Sequence, residues 1–219
     1  MTGLIHLSIL FGISLPLAAS CGQLPPPPVS ADPAAGIIQF EGTIFPRRYN
    51  SHPDRANGHH FIVWSGGANA AKALINTAVS DREILKALES VGAVVGNNLT
   101  PATWEQRADP AASAPDQRVE GSLLEIRVRW NGREHPIQDL FQDKNPLDFA
   151  IRAGGNEKLI PVWRSGCVTC LFSCPGGKTS NAAYTIRDQY WQKKVFLADA
   201  AALPPDGAQV RVIMRVIQK

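Results

Sequence analysis

The sequence predicts an α+β domain in which a mostly antiparallel sheet packs against one well-defined amphipathic helix. Three observations support this fold class. Residues 119–138 have the pattern of strand, turn and strand, residues 208–217 form a further apolar strand, and residues 80–92 carry the start, the apolar stripe and the end of a helix. Because most strands are joined by turns and not by alternating helices, the sheet is expected to be antiparallel.

The amino-terminal part of the domain is predicted to contribute two strands. Residues 36–49 (GIIQFEGTIFPRRY) alternate between apolar and polar side chains, which is typical of a half-buried strand. Residues 50–60 are rich in turn-forming residues and predict a loop, whereas residues 60–67 (HFIVWSGG) predict a short buried strand that ends in glycines. Residues 68–79 fit a helix and a strand equally well.

The predicted helix has a signal at each end. Ser80 precedes the segment DREILKALESVG, and Glu83 follows three residues later, which is the capping-box arrangement. Gly92 lies where a left-handed residue commonly ends a helix. Between these signals, apolar residues recur at helical spacing along one face, at Ile84, Leu85, Leu88 and Val91.

The carboxyl-terminal half is predicted to be mostly strand. After a long irregular connection over residues 97–116, four apolar side chains share one face of a strand, namely Leu124, Ile126, Val128 and Trp130. Asn131-Gly132 follows, and this dipeptide favours a two-residue hairpin turn because both central positions adopt positive φ. Residues 192–198 (QKKVFLA) and 208–217 (AQVRVIMRVI) predict two further strands.

Residues 1–20 have the features of a secretory signal peptide. An apolar stretch without Asp, Glu, Lys or Arg spans residues 3–20 and ends in small residues. The sequence Leu17-Ala18-Ala19-Ser20 before Cys21 resembles a bacterial lipobox, which implies cleavage before Cys21 and attachment of diacylglycerol to its sulfur. The alternative is an ordinary secreted protein with an unrelated cysteine at this position.

Residues 21–36 predict a tether between this lipid anchor and a single domain over residues 37–219. The segment is rich in Pro and small residues, which extend the chain and cannot form a packed core. Gly22 stands where an Asp is usual in lipoproteins retained at the inner membrane, so the outer membrane is the favoured location within the cell envelope. The lipid chains would hold the domain at the membrane surface.

The composition argues against several functional classes. Charged residues make up 19% of the chain, the formal net charge is +3, and the basic residues are scattered, so nucleic acid is not an expected partner. No second apolar run in the sequence is long enough to span a bilayer. The sequence also lacks the G-x-S-x-G and H-E-x-x-H motifs, so no catalytic residues are assigned.

The remaining cysteines are concentrated in one segment. Cys167, Cys170 and Cys174 have the spacing C-x2-C-x3-C and are followed by Pro175. The pattern matches the last three ligands and the closing Pro of the bacterial ferredoxin motif, with Arg164 at the position of the first ligand. An iron–sulfur cluster here would therefore need a non-cysteine ligand, an open iron site or a residue from a partner.

Three other interpretations of these thiols stay open. A mononuclear soft-metal site, with Cu(I) or Zn(II), would combine the three thiolates with an imidazole, for which His59 and His60 are the candidates. Cys167 and Cys170 also have the spacing of a thioredoxin-type redox pair. A structural disulfide would instead join two of the three thiols and leave one cysteine inert. Lys178, shortly after this segment, is expected to be a surface charge.

Three segments resemble the YdjY-domain family of bacterial envelope proteins, namely residues 58–64 (GHHFIVW), 80–98 (SDREILKALESVGAVVGNN) and 128–130 (VRW). The resemblance extends from Phe40 to the carboxyl terminus, and His59-His60 stands where the family usually has a His-Glu pair. It implies the fold and an envelope location. The family has no established activity, although its members are sometimes labelled ferredoxin-like.

Together these observations predict a lipid-anchored envelope protein whose three-cysteine segment binds a soft metal ion or an iron–sulfur cluster, for electron transfer or metal handling. Cys167, Cys170 and Cys174 are the predicted ligands, with His59 and His60 as further candidates. The expected partners are the membrane and an envelope redox or metal-transport protein. The alternative is a non-catalytic interaction module of the envelope in which the cysteine segment holds a structural disulfide.

Overall fold

The computed structural model describes three stretches of the chain, residues 28–52, 58–156 and 158–218. The predicted signal peptide over residues 1–20, the predicted lipidation site Cys21 and the tether residues 22–27 lie outside the described residues. Within the described stretches, none of the helices combines the length and the apolar character that crossing a bilayer requires.

One sheet of ten strands forms the body of the described chain. In chain order its strands are β1 (Val29–Asp32), β2 (Ile37–Ile44), β3 (His60–Trp64), β4 (Ile75–Thr77), β5 (Leu124–Trp130), β6 (Arg133–Pro136), β7 (Ile151–Ala153), β8 (Cys167–Cys170), β9 (Thr179–Asn181) and β10 (Ala208–Val216). Neighbours follow the order β6-β5-β10-β2-β4-β3-β8-β9-β7, and β1 pairs with β2 outside this path. Only the β3–β4 and β8–β9 ladders among these strands are parallel, so the sheet is mostly antiparallel, as predicted.

Short helices flank the sheet. They are α1 (Pro46–Ser51), α2 (Asp81–Ser90), α3 (Pro101–Glu105), α4 (Ile160–Trp163) and α5 (Ile186–Tyr190). Helix α2 begins where the capping box places it, because the Glu83 amide donates to the Ser80 hydroxyl and the Ser80 amide donates to the Glu83 carboxylate. Ile84 and Leu88 are fully buried where α2 packs against β1, β2 and β8.

The longest strands carry the alternation that the sequence shows. β2, β10 and β5 lie side by side, and Ile38, Phe40 and Val212 are buried on the same face. β5 turns into β6 through Asn131 and Gly132, whose φ values of 49° and 75° are the positive values that the hairpin turn requires. The predicted hairpin and the predicted last strand are both present.

Several predicted boundaries shift. The strand predicted over residues 36–49 ends at Ile44, and Pro46 begins helix α1. Strand β1 falls within the stretch predicted as tether and pairs with β2 from Val29 onwards, so the sheet begins earlier than the predicted domain start at residue 37. Residues 97–116, predicted as irregular, contain helix α3, which starts at a Thr100 cap followed by Pro101. The ambiguous segment over residues 68–79 contains a 3-10 turn and then strand β4.

Residues 192–198 do not form the predicted strand. Gln192 has a left-handed φ of 52°, which interrupts extended backbone at the start of the segment, and Ala198 makes an isolated β-bridge to Phe141. Phe196 is buried instead in a cluster of aromatic rings, with centroid distances of 5.4–5.9 Å to Phe141, Phe149, Phe172 and Tyr184. The apolar residues of this segment therefore mark a core contact and not a strand.

Candidate metal centre

The candidate imidazoles and thiols come together because β3 and β8 are neighbouring strands. His60 is paired with Cys170 in the antiparallel ladder. Backbone hydrogen bonds fix the start of β3 on both sides, since the Leu171 amide donates to the His59 carbonyl at 2.8 Å and the Leu74 amide donates to the His60 carbonyl at 3.1 Å. The histidines therefore lie on backbone that is held from two directions.

An irregularity in the ladder directs two cysteines toward the same imidazole. Residues three apart on a regular strand point to opposite faces of a sheet. Near the start of β8 the ladder advances by one residue on β3 but by two on β8, so Val168 is an extra residue that changes the direction of the strand. The Nδ1 atom of His60 lies 3.0 Å from the Sγ atom of Cys167, and Cys170 presents its Sγ atom to the same space.

Cys174 joins this group from the loop that connects β8 to β9. Its thiol shares a hydrogen bond with the Cys170 thiol, and the backbone amides of Gly176 and Gly177 donate to it. These contacts, together with the charge of Lys178, hold the pKa of the Cys174 thiol below its ordinary value despite burial. Of the Cys170 and Cys174 thiols, Cys174 therefore loses its proton more readily.

Burial and neighbouring groups control the protonation of His60 and Cys170. Burial lowers the pKa of His60 well below its ordinary value, and the neighbouring His59 lowers it further, so the imidazole is neutral and has a lone pair for a metal. Hydrogen bonds with Cys167 and Cys174, and then burial, raise the pKa of Cys170 well above its ordinary value. A bound metal ion would convert Cys170 from the protonated thiol to the thiolate, because metal coordination deprotonates thiols.

The three candidate ligand atoms lie close enough for one metal ion to contact them all, although a bound ion would widen the 3.0 Å between His60 Nδ1 and Cys167 Sγ. Those of His60, Cys167 and Cys170 all lie within 4.8 Å of one another. In a tetrahedral zinc site with ordinary bond lengths, neighbouring nitrogen and sulfur ligands are about 3.6 to 3.8 Å apart. Cys167, Cys170 and Cys174 are free thiols, so the structural disulfide of the alternative interpretation is not formed in this structure.

A cavity of about 340 Å³ opens beside these groups. The larger side chains that line it are two imidazoles, two thiols and two indoles, from His59, His60, Cys167, Cys174, Trp104 and Trp163. The ring centroid of His59 lies 3.8 Å from that of His60, and the ring centroids of Trp104 and Trp163 are 5.5 Å apart. The candidate ligands thus lie between a packed interior and an accessible aromatic-walled space.

Lys178 is buried, which corrects the expectation of a surface charge. Its side chain is completely buried and forms an ion pair with the carboxylate of Asp81, the first residue of α2. The Lys178 backbone amide also donates to the Cys167 carbonyl at 3.2 Å. A positive charge is therefore held close to the thiols by a helix that is distant in the sequence.

Four of the five predicted site residues converge, and they form what we call the thiol–imidazole cluster: His60, Cys167, Cys170 and Cys174. The fifth, His59, stacks on His60 and lines the cavity. Sequence reasoning did not identify the two indoles or the buried ion pair. Trp163 lies just before the cysteine segment, but its spacing carries no signal, and nothing near Lys178 in the sequence indicates its burial.

Comparisons with known proteins agree with the resemblance seen in the sequence. The sequence model of the YdjY domain matches residues 29–215. A protein of Escherichia coli (strain K12), described as "Uncharacterized protein YdjY", is 30% identical over 162 residues, which cover 73% of this chain and 68% of the relative. The comparison with solved structures gives no match.

Proposed function

The chain belongs to the YdjY-domain family, and we propose that it binds one soft metal ion, Cu(I) or Zn(II), at the bacterial cell envelope, for metal handling or, with copper, for electron transfer. The ligands would be His60, Cys167 and Cys170, and the observation that carries the proposal is that their ligand atoms lie within 4.8 Å of one another. Thiolate and imidazole ligands favour these two ions, whereas Mg²⁺ and Ca²⁺ favour oxygen ligands.

A single ion accounts for this spacing better than an iron–sulfur cluster does. In the [4Fe–4S] cluster of the ferredoxin motif each thiolate binds a different iron atom, so the width of the cluster separates the thiolates. The three ligand atoms here lie too close together for that arrangement, within 4.8 Å. The ferredoxin-like cysteine spacing therefore supports a compact thiolate site more than it supports a cluster.

A redox role for Cys167 and Cys170 alone is less well supported. Reactive cysteine pairs usually have lowered pKa values and are accessible to their partners. Both thiols are buried, and the pKa of Cys170 is raised. Burial with a neutral imidazole nearby is instead compatible with a metal site.

The charges around the cluster favour bound thiolates. Two thiolate ligands neutralise Zn(II) and leave one negative charge with Cu(I), and a Cys174 thiolate would add another. The amides of Gly176 and Gly177 and the ammonium of Lys178 act on Cys174 and would offset this charge. Asp81 holds Lys178 in place through the buried ion pair.

Attachment to the membrane is the second part of the proposal. The lipobox-like sequence before Cys21 supports a diacylglycerol anchor, and Gly22 supports the outer membrane as the destination. Such an anchor would bring the metal site near an envelope redox or metal-transport protein. Intact-mass measurement on protein from the membrane fraction tests this anchor, and a mature terminus without lipid at Cys21 would refute it.

Metal content tests the proposed site. Protein purified from its membrane fraction without air is expected to hold one Cu(I) or Zn(II) per chain, counted by elemental mass spectrometry. His60→Gln and Cys170→Ser each remove a proposed ligand. Loss of an outer-shell partner typically weakens metal binding roughly 10- to 100-fold, and loss of a ligand should weaken it by more than that. Competition with a chelator of known affinity measures these losses.

Two matched variants separate ligation from general damage. His135→Gln removes a partly exposed imidazole that stacks on Trp130 at the far end of the sheet. Val168→Ala trims a buried side chain of β8 without removing a donor atom. Both variants should retain one ion per chain. Unchanged binding in His60→Gln and Cys170→Ser would contradict the proposal, and stoichiometric iron with inorganic sulfide would favour the cluster instead.

A further inference from the structure

The cavity beside the thiol–imidazole cluster lies on one side of the proposed metal position. His60, Cys167 and Cys174 line its volume of about 340 Å³. Cys170 is completely buried and is not part of the lining. An ion held by His60, Cys167 and Cys170 would therefore have Cys170 behind it and the cavity in front of it, with three protein ligands.

The cavity walls are aromatic and carry no formal charge from Asp, Glu, Lys or Arg among the described residues that line it. The ring centroids of Trp104 and Trp163 are 5.5 Å apart, and that of His59 lies 6.5 Å from Trp104. Apart from the cluster thiols, these walls offer no oppositely charged partner to a charged molecule, which would lose its water on entering. The walls therefore favour an uncharged ligand with an apolar or aromatic body.

We propose that an ion in the cluster keeps a coordination position open toward the cavity, and that this position takes a small neutral molecule with one nitrogen or sulfur donor atom. The inference rests on the proposed function, because the donor would bind the metal ion itself. The lone pair of the donor forms a coordination bond, and no electron or proton is transferred.

The size and the walls of the cavity define this ligand further. A volume of about 340 Å³ is at the lower end of ligand pockets, which limits the occupant to a small molecule. A planar ring in the space beside Trp104 and Trp163 would gain offset or edge-to-face contacts with the indoles. Asn69 and Ser165 supply the polar groups of the lining, which suits a ligand with few polar atoms.

Co(II) provides a spectroscopic probe of the open position, because its visible absorption depends on the number and kind of its ligands. The full-length protein loaded with Co(II) would be titrated with pyridine, a neutral aromatic nitrogen donor. We expect a saturable change in the visible bands while the Co(II) content per chain stays constant. The analogue 2,6-di-tert-butylpyridine has the same ring with a blocked nitrogen and should have no effect.

Three variants locate the binding event in the cavity. Asn69→Trp should fill the cavity and abolish the pyridine response. Co(II) should remain bound, because Asn69 is not a proposed ligand and its backbone amide keeps the hydrogen bond to the Ser165 carbonyl. Trp104→Leu should weaken pyridine binding about three- to tenfold through loss of the aromatic contact. Trp191→Leu removes a half-exposed indole outside the lining and should leave pyridine binding unchanged.

The outcomes distinguish this inference from the proposed function. Failure of the protein to bind Cu(I), Zn(II) and Co(II) alike would overturn both. Co(II) that binds but does not respond to pyridine would overturn the open position alone, as would release of the metal by pyridine. A Cys174→Ser variant that loses Co(II) affinity as strongly as Cys170→Ser would also overturn it, because Cys174 would then occupy the fourth position.

Discussion

The two ends of the sheet are stabilised in different ways. The long-strand half comprises β6, β5, β10, β2 and β1, and the site half comprises β3, β8, β9 and β7, with β4 between them. β10 spans nine residues and pairs along most of its length with β2 and β5. β7 and β9 span three residues each. Repeated ladder contacts therefore stabilise the long-strand half, and the site half has far fewer of them.

Buried polar contacts take the place of long ladders in the site half. Five hydroxyl and amide side chains there are completely buried and hydrogen-bonded, namely Thr169, Ser173, Thr179, Ser180 and Asn181. In the long-strand half, charged residues such as Glu41 and Arg211 pair on the solvent side. The strands and the loop that carry the thiols are thus held by buried hydrogen bonds, which are individually expensive to break.

The largest expected effect comes from breaking the buried ion pair of the site half. Asp81→Asn keeps the shape of the side chain but leaves the completely buried Lys178 ammonium without its carboxylate. Removing one partner of such a pair costs about 3 to 5 kcal/mol of unfolding free energy. Urea unfolding of the metal-free protein measures this loss.

The matched variant in the long-strand half is Glu41→Gln. It breaks the ion pair with Arg211, in which both side chains are about half exposed, and such pairs contribute less than about 1 kcal/mol. Adding Lys178→Met to Asp81→Asn should recover much of the stability, because no unpaired charge then remains buried. Equal losses from Asp81→Asn and Glu41→Gln would show that the two halves do not differ in this respect.

A smaller loss of stability is expected when Ala replaces Gly177 in the site half or Gly132 in the hairpin turn, and only the first change should also weaken metal binding. A Cβ atom at Gly177 would lie 2.7 Å from the Ser180 hydroxyl and 3.2 Å from the Cys170 Sγ atom. Gly177→Ala should therefore destabilise the protein by about 1 to 3 kcal/mol and weaken metal binding, because the thiol must move. Urea unfolding and chelator competition give the two readouts.

Gly132→Ala, in the hairpin turn of the long-strand half, is the control for Gly177→Ala. Nothing lies within 4 Å of a Cβ atom at Gly132, but its φ of 75° is unfavourable for Ala, so we expect a loss of about 1 to 2 kcal/mol with unchanged metal affinity. If Gly177→Ala also left metal affinity unchanged, moving the Cys170 thiol would not affect metal binding, which would contradict its role as a ligand.

The two halves of the sheet also differ in how much of their structure can be predicted from the sequence. The hairpin is encoded by Asn131-Gly132 and the start of α2 by Ser80 and Glu83, and each signal lies within a few residues of the structure that it specifies. Such local signals can be recognised without knowledge of the fold. Most of the long-strand half and α2 were therefore predictable, whereas β1, in the predicted tether, was not.

The site half lacks local signals of this kind. All four residues of β8 are buried, so no alternation of apolar and polar residues marks it as a strand, and its bulge cannot be read from the sequence. The spacing of the cysteines identified them as candidate ligands, but the choice of His60 over His59 required the pairing of β3 with β8. The burial of Lys178 depends on Asp81, which is distant in sequence.

The smallest effect is a pH dependence in the site half that is confined to alkaline solution. The Tyr184 hydroxyl donates to the Asp148 carboxylate at 2.5 Å, and Asp148 also pairs with Lys194. Burial, and then this hydrogen bond, raise the pKa of Tyr184 to about 12 from an ordinary value of 10.0. The raised pKa means that the folded state retains a proton that the unfolded state loses.

The stability that Tyr184 contributes should therefore be complete below about pH 10 and should be lost as the pH rises through about 12. Burial raises the pKa of Tyr49 as well, so the wild-type profile includes both groups. The difference between wild type and Tyr184→Phe isolates the contribution of Tyr184 in urea unfolding between pH 9 and pH 12, because Tyr49 is common to both. Parallel profiles over this range would show that the Asp148 contact does not hold the Tyr184 phenol neutral.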